Sequence, residues 1–173
     1  MRAFVAFDVP SIDGQFPPWL HPENHITLHF FEELPADRVP IAIEAVRDAT
    51  NSFLPFEIEI RGVGAFPNAN RPRVVWAGLG EGSAAVLSLV TRLRNALSSR
   101  AFTVENRPFV PHLTLARVRT PRTAAWAGPF LANPANVSRT WVRSKVTELL
   151  LKESELLPAG ARHTVRERVP LGS

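Results

Sequence analysis

The chain has 173 residues, a length that suits one domain or two small lobes sharing a core. Its hydrophobic fraction of 45% and charged fraction of 21% are ordinary for a globular protein. It contains no cysteine, which excludes disulfides, thiol nucleophiles and thiolate metal sites. The net charge of +4 comes mostly from arginine and suits a polyanionic partner, although a basic surface without any partner has the same charge.

Apolar runs in the sequence are too short to cross a bilayer, so no membrane partner is expected. The apolar segment 1–9 lacks the long hydrophobic stretch and the cleavage site of a signal peptide, and it is better interpreted as a first strand. Without an export signal, a cytoplasmic location is expected.

Hydrophobic periodicity and turn residues predict the secondary structure. In chain order, the predicted strands are 2–9, 25–31, 56–63, 74–79, 102–105, 112–118, 141–151 and 163–169, and the predicted helices are 35–52, 81–99 and 122–131. The segment 11–22 has too many prolines for a helix. This order predicts an α+β fold, with antiparallel sheets backed by helices and a groove between two lobes of a single domain, 1–173.

The pattern His-x-Thr-Leu occurs twice, at 25–28 and at 112–115. In a strand, residues two apart project from the same face, so each histidine shares a face with its threonine. One copy alone is weak, because a half-exposed strand histidine produces the same pattern. Two copies on predicted strands, about half a chain apart, indicate a shared site facing the groove.

Two imidazoles and two hydroxyls suit the opening of a phosphodiester by water. Imidazole pKa values lie near neutrality, so one histidine can take the proton of the attacking oxygen while the other protonates the leaving oxygen. The hydroxyls of Thr27 and Thr114 can donate to the nonbridging phosphate oxygens. Threonine is a poor zinc ligand and this chemistry requires no metal, so neither a metal nor a cofactor is expected.

Arg117 follows the second motif and is a candidate for holding the phosphate. Strict strand alternation places it on the face opposite Thr114. Only a bulge, or the end of the strand, would turn it into the groove. The alternative is an exposed arginine on a basic surface.

Three other side chains lie near the predicted site. His29 has the parity of His25 and either contacts the substrate or is simply exposed at the end of the strand, which is the favoured interpretation. Phe109 either stacks on a base or, the favoured interpretation, packs in the core. His163 lies in the last predicted strand, and contact with a ligand is the less favoured interpretation for it.

The sequence resembles the 2H phosphoesterase superfamily, and within it the RNA 2',3'-cyclic phosphodiesterases, also called 2'-5' RNA ligases. The resemblance covers nearly the whole chain and rests on both motifs and on the segments 2–10, 22–28, 64–68, 71–76, 107–117, 151–154 and 160–162. It implies two pseudo-symmetric α+β lobes with both His-x-Thr motifs in a central cleft. A monomer is expected.

The same resemblance implies an enzyme that opens RNA 2',3'-cyclic phosphate ends to 2'-phosphates, acting on RNA ends, tRNA halves or nucleotide cyclic phosphates. Some members join tRNA halves through 2'-5' bonds in the reverse reaction. By position, His25 and His112 would be catalytic, and Thr27, Thr114 and Arg117 would bind the phosphate. We interpret His25 as the acid and His112 as the base, with the reverse assignment left open.

Two other functions are compatible with the motifs. One is a 2H enzyme for another phosphodiester, such as a 2'-5' oligonucleotide or an ADP-ribose cyclic phosphate. The other is a non-catalytic protein that binds RNA ends, although a pure binder would not need an intact pair of histidines. Segments 11–22 and 30–33 depart from the family pattern on the wall of the cleft, which leaves the length of the preferred RNA open.

Overall fold

The computed structural model describes residues 1–172. The elements are β1 (Arg2–Asp8), β2 (His25–Phe31), α1 (Val39–Thr50), β3 (Phe56–Phe66), β4 (Val74–Leu79), α2 (Ser83–Ser98), β5 (Leu113–Arg117), α3 (Pro121–Ala132), α4 (Pro134–Val137), β6 (Thr140–Val146), β7 (Glu148–Leu157) and β8 (Gly160–Pro170). They form two four-stranded antiparallel sheets with the strand orders β2-β1-β7-β8 and β5-β4-β3-β6. The predicted α+β fold of two helix-backed sheets is therefore confirmed.

The two sheets meet at the strands that carry the motifs. β2 is an edge of the first sheet, β5 is an edge of the second, and the two edges approach each other. The chain begins in the first sheet, builds the whole second sheet from β3 to β6, and then returns to the first sheet with β7 and β8. Each edge strand consequently has one side without a sheet partner, and a cleft lies between them.

Helices α1 and α2 pack against each other, and Arg94 of α2 lines the cleft. The stripe of α2 that is buried consists of Val86, Leu89, Val90, Leu93 and Leu97, spaced at three and four residues as an amphipathic helix requires. α1 packs on α2 and on the strands of the first sheet. Burying each large aliphatic side chain contributes about 1.5–3 kcal/mol, so the buried stripe of α2 stabilises the packing of this helix pair.

Two strand predictions were wrong. The predicted strand 141–151 is two strands in different sheets, because the chain leaves the second sheet after Val146 and enters the first at Glu148. Both strands are apolar, so the pattern gives no sign of the break. The predicted strand 102–105 is irregular, and Phe102 there packs on Phe31 with ring centroids 5.4 Å apart instead of pairing in a ladder.

Each motif strand contains a β-bulge at the leucine of His-x-Thr-Leu. In β2, Thr27 lies opposite Ala6 and His29 opposite Val5, which leaves Leu28 as the extra residue. In β5 the leucine at 115 is skipped in the same way. A bulge reverses the alternation of the residues that follow it, so the side chains beyond both motifs lie on faces that simple alternation does not predict.

Candidate active site

A cavity of about 980 Å³ lies between β2 and β5 and brings the two motifs together. Thr27 lines it from the first sheet, and His112 and Thr114 line it from the second. His25 lies at its margin, only 6% exposed, with its Nε2 3.4 Å from a carboxylate oxygen of Glu23, which itself lines the cavity. One imidazole and two hydroxyls from opposite lobes thus line one space, with the second imidazole buried at its margin.

Glu23 joins the two lobes at this point. Its backbone N–H donates to the carbonyl oxygen of Thr114 at 2.9 Å, so the approach to the first motif is tied to the strand of the second. Its carboxylate lies 3.6 Å from Arg117. Burial raises the pKa of the Glu23 carboxyl group, while the nearby guanidinium opposes this increase. Sequence reasoning overlooked Glu23, although its position two residues before His25 was the available signal.

His25 is enclosed by aromatic rings and by a partly buried ion pair. Its ring centroid is 5.1 Å from that of Phe4 and 5.3 Å from that of His163. The rings of His25 and His163 are nearly perpendicular. Lys152 binds Asp8 at 2.5 Å, and Asp8 is the cross-strand partner of His25. Burial first, and then the positive charge of Lys152, lower the pKa of His25 to about 4. The imidazole of the free protein is therefore neutral at physiological pH.

His112 is oriented by its own backbone and by two aromatic rings. Its Nδ1–H donates to the carbonyl oxygen of Val110 at 2.9 Å, so its Nε2 is the nitrogen available to a ligand. Phe66 packs edge-on at 4.9 Å, with Trp76 behind it. An added Cβ at Gly64 would lie 2.3 Å from the Trp76 ring, so glycine lets the indole cross β3 closely. Burial lowers the pKa of His112, and the Val110 hydrogen bond counteracts part of this effect.

Arg117 lies on the same face of the sheet as Thr114 because of the bulge in β5. Thr114 pairs with Trp76 and Arg117 with Val74, two residues apart on a regular strand. Arg117 also lines the cavity, and its side chain remains 48% exposed. Strict alternation would have turned Arg117 away from the cleft, and only a bulge could turn it inward. That bulge is present in β5.

The bulge in β2 has the opposite effect on His29. Sequence alternation predicted that it shares the face of His25, and this was wrong, because the extra residue at Leu28 turns His29 to the other face with Val5. His29 packs on Phe31 with ring centroids 4.5 Å apart and lines a more distant part of the cavity. Phe109 lines that same part and is half-buried. His163 contacts His25, as described above, and does not line the cavity.

Neither a clustered metal site nor a membrane span is found in the described part of the chain. Within residues 1–172, no group of three or more histidine or carboxylate side chains is placed to hold a metal ion. In the same range, no helix combines the length and the apolar composition needed to span a bilayer. The polar groups that the motifs bring to the cleft are imidazole, hydroxyl and guanidinium groups.

The cleft and the repeated motif define a class of proteins. A family model described as the 2'-5' RNA ligase superfamily matches residues 15–152, and the chain belongs to this superfamily. More particularly, it is similar to proteins named RNA 2',3'-cyclic phosphodiesterase. The relative from Methanothermobacter thermautotrophicus is 38% identical over 96% of this chain and 97% of its own. The relative from Archaeoglobus fulgidus is 34% identical over 92% and 94%.

Solved structures have the same fold. A protein from Thermus thermophilus superimposes with a TM-score of 0.76 at 27% identity, covering 99% of this chain and 98% of that one. Escherichia coli LigT complexed with 3'-AMP superimposes with a TM-score of 0.75 at 25% identity, with the same coverage. The family resemblance inferred from the two motifs is therefore confirmed.

Proposed function

We propose that this protein is an RNA 2',3'-cyclic phosphodiesterase that hydrolyses 2',3'-cyclic phosphate ends to 2'-phosphates without a metal. The observation that carries the proposal is the convergence of His25, Thr27, His112 and Thr114 on one cavity from opposite edge strands. Relatives of this name, similar over nearly the whole chain, support it. The proposed substrates are RNA ends, including those of tRNA halves, and nucleotide cyclic phosphates, and the protein acts as a cytoplasmic monomer.

The reaction requires two proton transfers on opposite sides of phosphorus. A water oxygen bonds to phosphorus and gives its proton to one imidazole, while the bond to the 3'-oxygen breaks and that oxygen takes a proton from the other imidazole. The hydroxyls of Thr27 and Thr114 donate to the nonbridging oxygens, and the guanidinium of Arg117 stabilises the same charge. The 2'-phosphate then leaves, with the two histidines in exchanged protonation states until solvent restores them.

The environments of the two histidines favour His25 as the base and His112 as the acid. Burial and Lys152 disfavour the cation of His25, so it is ready to accept a proton. Burial lowers the pKa of His112 as well, but the hydrogen bond to the Val110 carbonyl offsets part of this effect, so His112 is the better candidate to hold and donate a proton. This reverses the order interpreted from the sequence, which had no information on burial.

The direct test of the function is incubation of a short RNA ending in 2',3'-cyclic phosphate with the protein in the presence of a chelator. We expect complete conversion to an RNA ending in 2'-phosphate, identified by chromatography against synthetic 2'- and 3'-phosphate standards. Conversion only of a 2'-5' oligonucleotide or an ADP-ribose cyclic phosphate would instead indicate a different phosphodiesterase. Protection of the cyclic end without conversion would indicate a binding protein.

The pH dependence of kcat/KM tests the role of His25. A base with a pKa of about 4 places the acidic limb of a bell-shaped profile well below neutrality. The Lys152→Met substitution removes a cation that lowers the pKa of His25. It also leaves the carboxylate of Asp8 without its partner, and the negative charge of Asp8 raises the pKa of His25. We therefore expect the acidic limb to move to higher pH.

The matched control for this shift is Lys145→Met, which removes an exposed lysine far from His25 on the second sheet. Its acidic limb should coincide with that of the wild-type protein. An unmoved limb in Lys152→Met, or equal movement in both variants, would show that His25 does not control the limb.

A further inference from the structure

The cavity continues beyond the catalytic centre into a second compartment, here called the distal arm. The arm lies between the end of β2 and the irregular segment 101–109. Its principal lining residues are His29, Arg38, Arg94, Phe102, Glu105 and Phe109. Single small-molecule ligands occupy pockets of about 300–1,000 Å³, so a cavity of about 980 Å³ has room for more than the cyclic end alone.

The distal arm carries two arginines that have no carboxylate partner among residues 1–172. The guanidinium of Arg38 lies 3.9 Å from the ring centroid of Phe102, and that of Arg94 lies 5.9 Å from the ring centroid of Phe109. Arg38 donates to backbone carbonyl oxygens, and Arg94 donates to the carbonyl oxygen of Arg107 at 2.8 Å. A guanidinium has five N–H donors, so each keeps donors for an anion.

Two of the acidic groups that line the cavity here are paired with cations, whereas Glu32, which also lines it, has no ion-pair partner among residues 1–172. Glu33 binds the N-terminal ammonium group at 2.7 Å, and Glu105 lies 3.2 Å from Arg107. The charge left for a ligand in this compartment is therefore mainly positive, which suits a phosphodiester.

His29 supplies a polar edge in the same compartment. Its ring nitrogens form no hydrogen bond with residues 1–172, although the side chain lines the cavity. Burial and the neighbouring Arg94 lower its pKa to about 4, so the imidazole is neutral and offers one donor and one acceptor. This combination is suited to the edge of a nucleobase, and the half-buried ring of Phe109 supplies a face on which a base can stack.

We propose that the distal arm binds the nucleotide preceding the cyclic end, with its base against Phe109 and His29 and the linking phosphate near Arg94. The proposal rests on the proposed function. The terminal nucleotide brings one phosphate, which the threonines and Arg117 hold at the centre. The N–H donors of Arg94 that are not used within the protein suit a second phosphate, farther along the RNA backbone.

The test compares kcat/KM for a cyclic mononucleotide and for a dinucleotide with the same cyclic end. The wild-type protein should prefer the dinucleotide. Base–aromatic stacking contributes the equivalent of roughly tenfold or more per base, so in His29→Ala and in Phe109→Leu this preference should fall by about tenfold. His29→Asn retains a donor and an acceptor and should keep more of the preference than His29→Ala. His21→Ala, an exposed histidine outside the cavity, is the control.

An unchanged preference in both His29→Ala and Phe109→Leu would overturn the proposal. So would an equal loss on both substrates, since a general disturbance of the centre reduces both. If the wild-type protein opens neither substrate, the proposed function itself fails. If it opens both equally well, the function stands and only the distal arm fails.

Discussion

Replacing either His25 or His112 by alanine lowers kcat for opening of the cyclic phosphate by on the order of 10²- to 10⁴-fold, the usual contribution of one acid or base. In the proposed mechanism each imidazole transfers one of the two protons, so loss of either ring removes one transfer. The measurement is single-turnover hydrolysis of the cyclic RNA end. His21→Ala is the matched control and should retain wild-type turnover.

A substrate with sulfur in place of the 3'-oxygen separates the two roles. A thiolate leaves without being protonated, so loss of the acid matters little for this substrate while loss of the base still matters. We expect the thio substrate to restore most of the activity of His112→Ala and little of that of His25→Ala. The opposite result would exchange the assigned roles, and wild-type turnover in either variant would refute the two-histidine mechanism.

Removal of a motif hydroxyl is expected to have the next largest effect. In the proposed mechanism Thr27→Val and Thr114→Val each take away a donor to the nonbridging oxygens, and we expect such a loss to lower kcat by about 10²- to 10³-fold. The effect should fall on kcat more than on KM, because the charge is greatest in the transition state. Steady-state kinetics on the cyclic dinucleotide measure both constants.

The serine variants are the controls for this comparison. Thr27→Ser and Thr114→Ser keep the hydroxyl and remove a methyl group, so they should retain most of the activity. Thr114 is buried, and its valine variant has nearly the same shape, which makes the hydroxyl the principal difference. Equal activity of the valine and serine variants at both positions would show that the hydroxyls do not stabilise the transition state.

The meeting of the two motifs at one cleft was predictable from sequence because it depends on residue types at a spacing of two. His25 with Thr27 and His112 with Thr114 show this spacing directly, and it corresponds to one face of a strand. Arg117 was identified as a candidate only on the condition of a bulge. A bulge depends on how a strand pairs with its neighbour, and the motif itself contains no glycine or other signal of one.

The remaining features depend on tertiary structure in the same way. His29 was assigned to the wrong face because the bulge at Leu28 reverses the alternation of the side chains that follow it. The break between β6 and β7 was overlooked because Val146 and Leu149 are both buried, each in its own sheet. The low pKa of His25 comes from Lys152, more than a hundred positions away in the sequence, and from burial that only the folded sheet produces.

The division of the first sheet has a consequence for the timing of activity during biosynthesis. β1 and β2 are made early, but β1 pairs on its other side with β7, so the sheet carrying His25 is completed only by residues 148–170. The second sheet, by contrast, is complete once β6 has been made. The strands that support His25, and the Lys152 side chain that lowers its pKa, are therefore the last parts of the fold to be synthesised. We expect the paired arrangement of the two histidines to form only after β7 and β8 have left the ribosome.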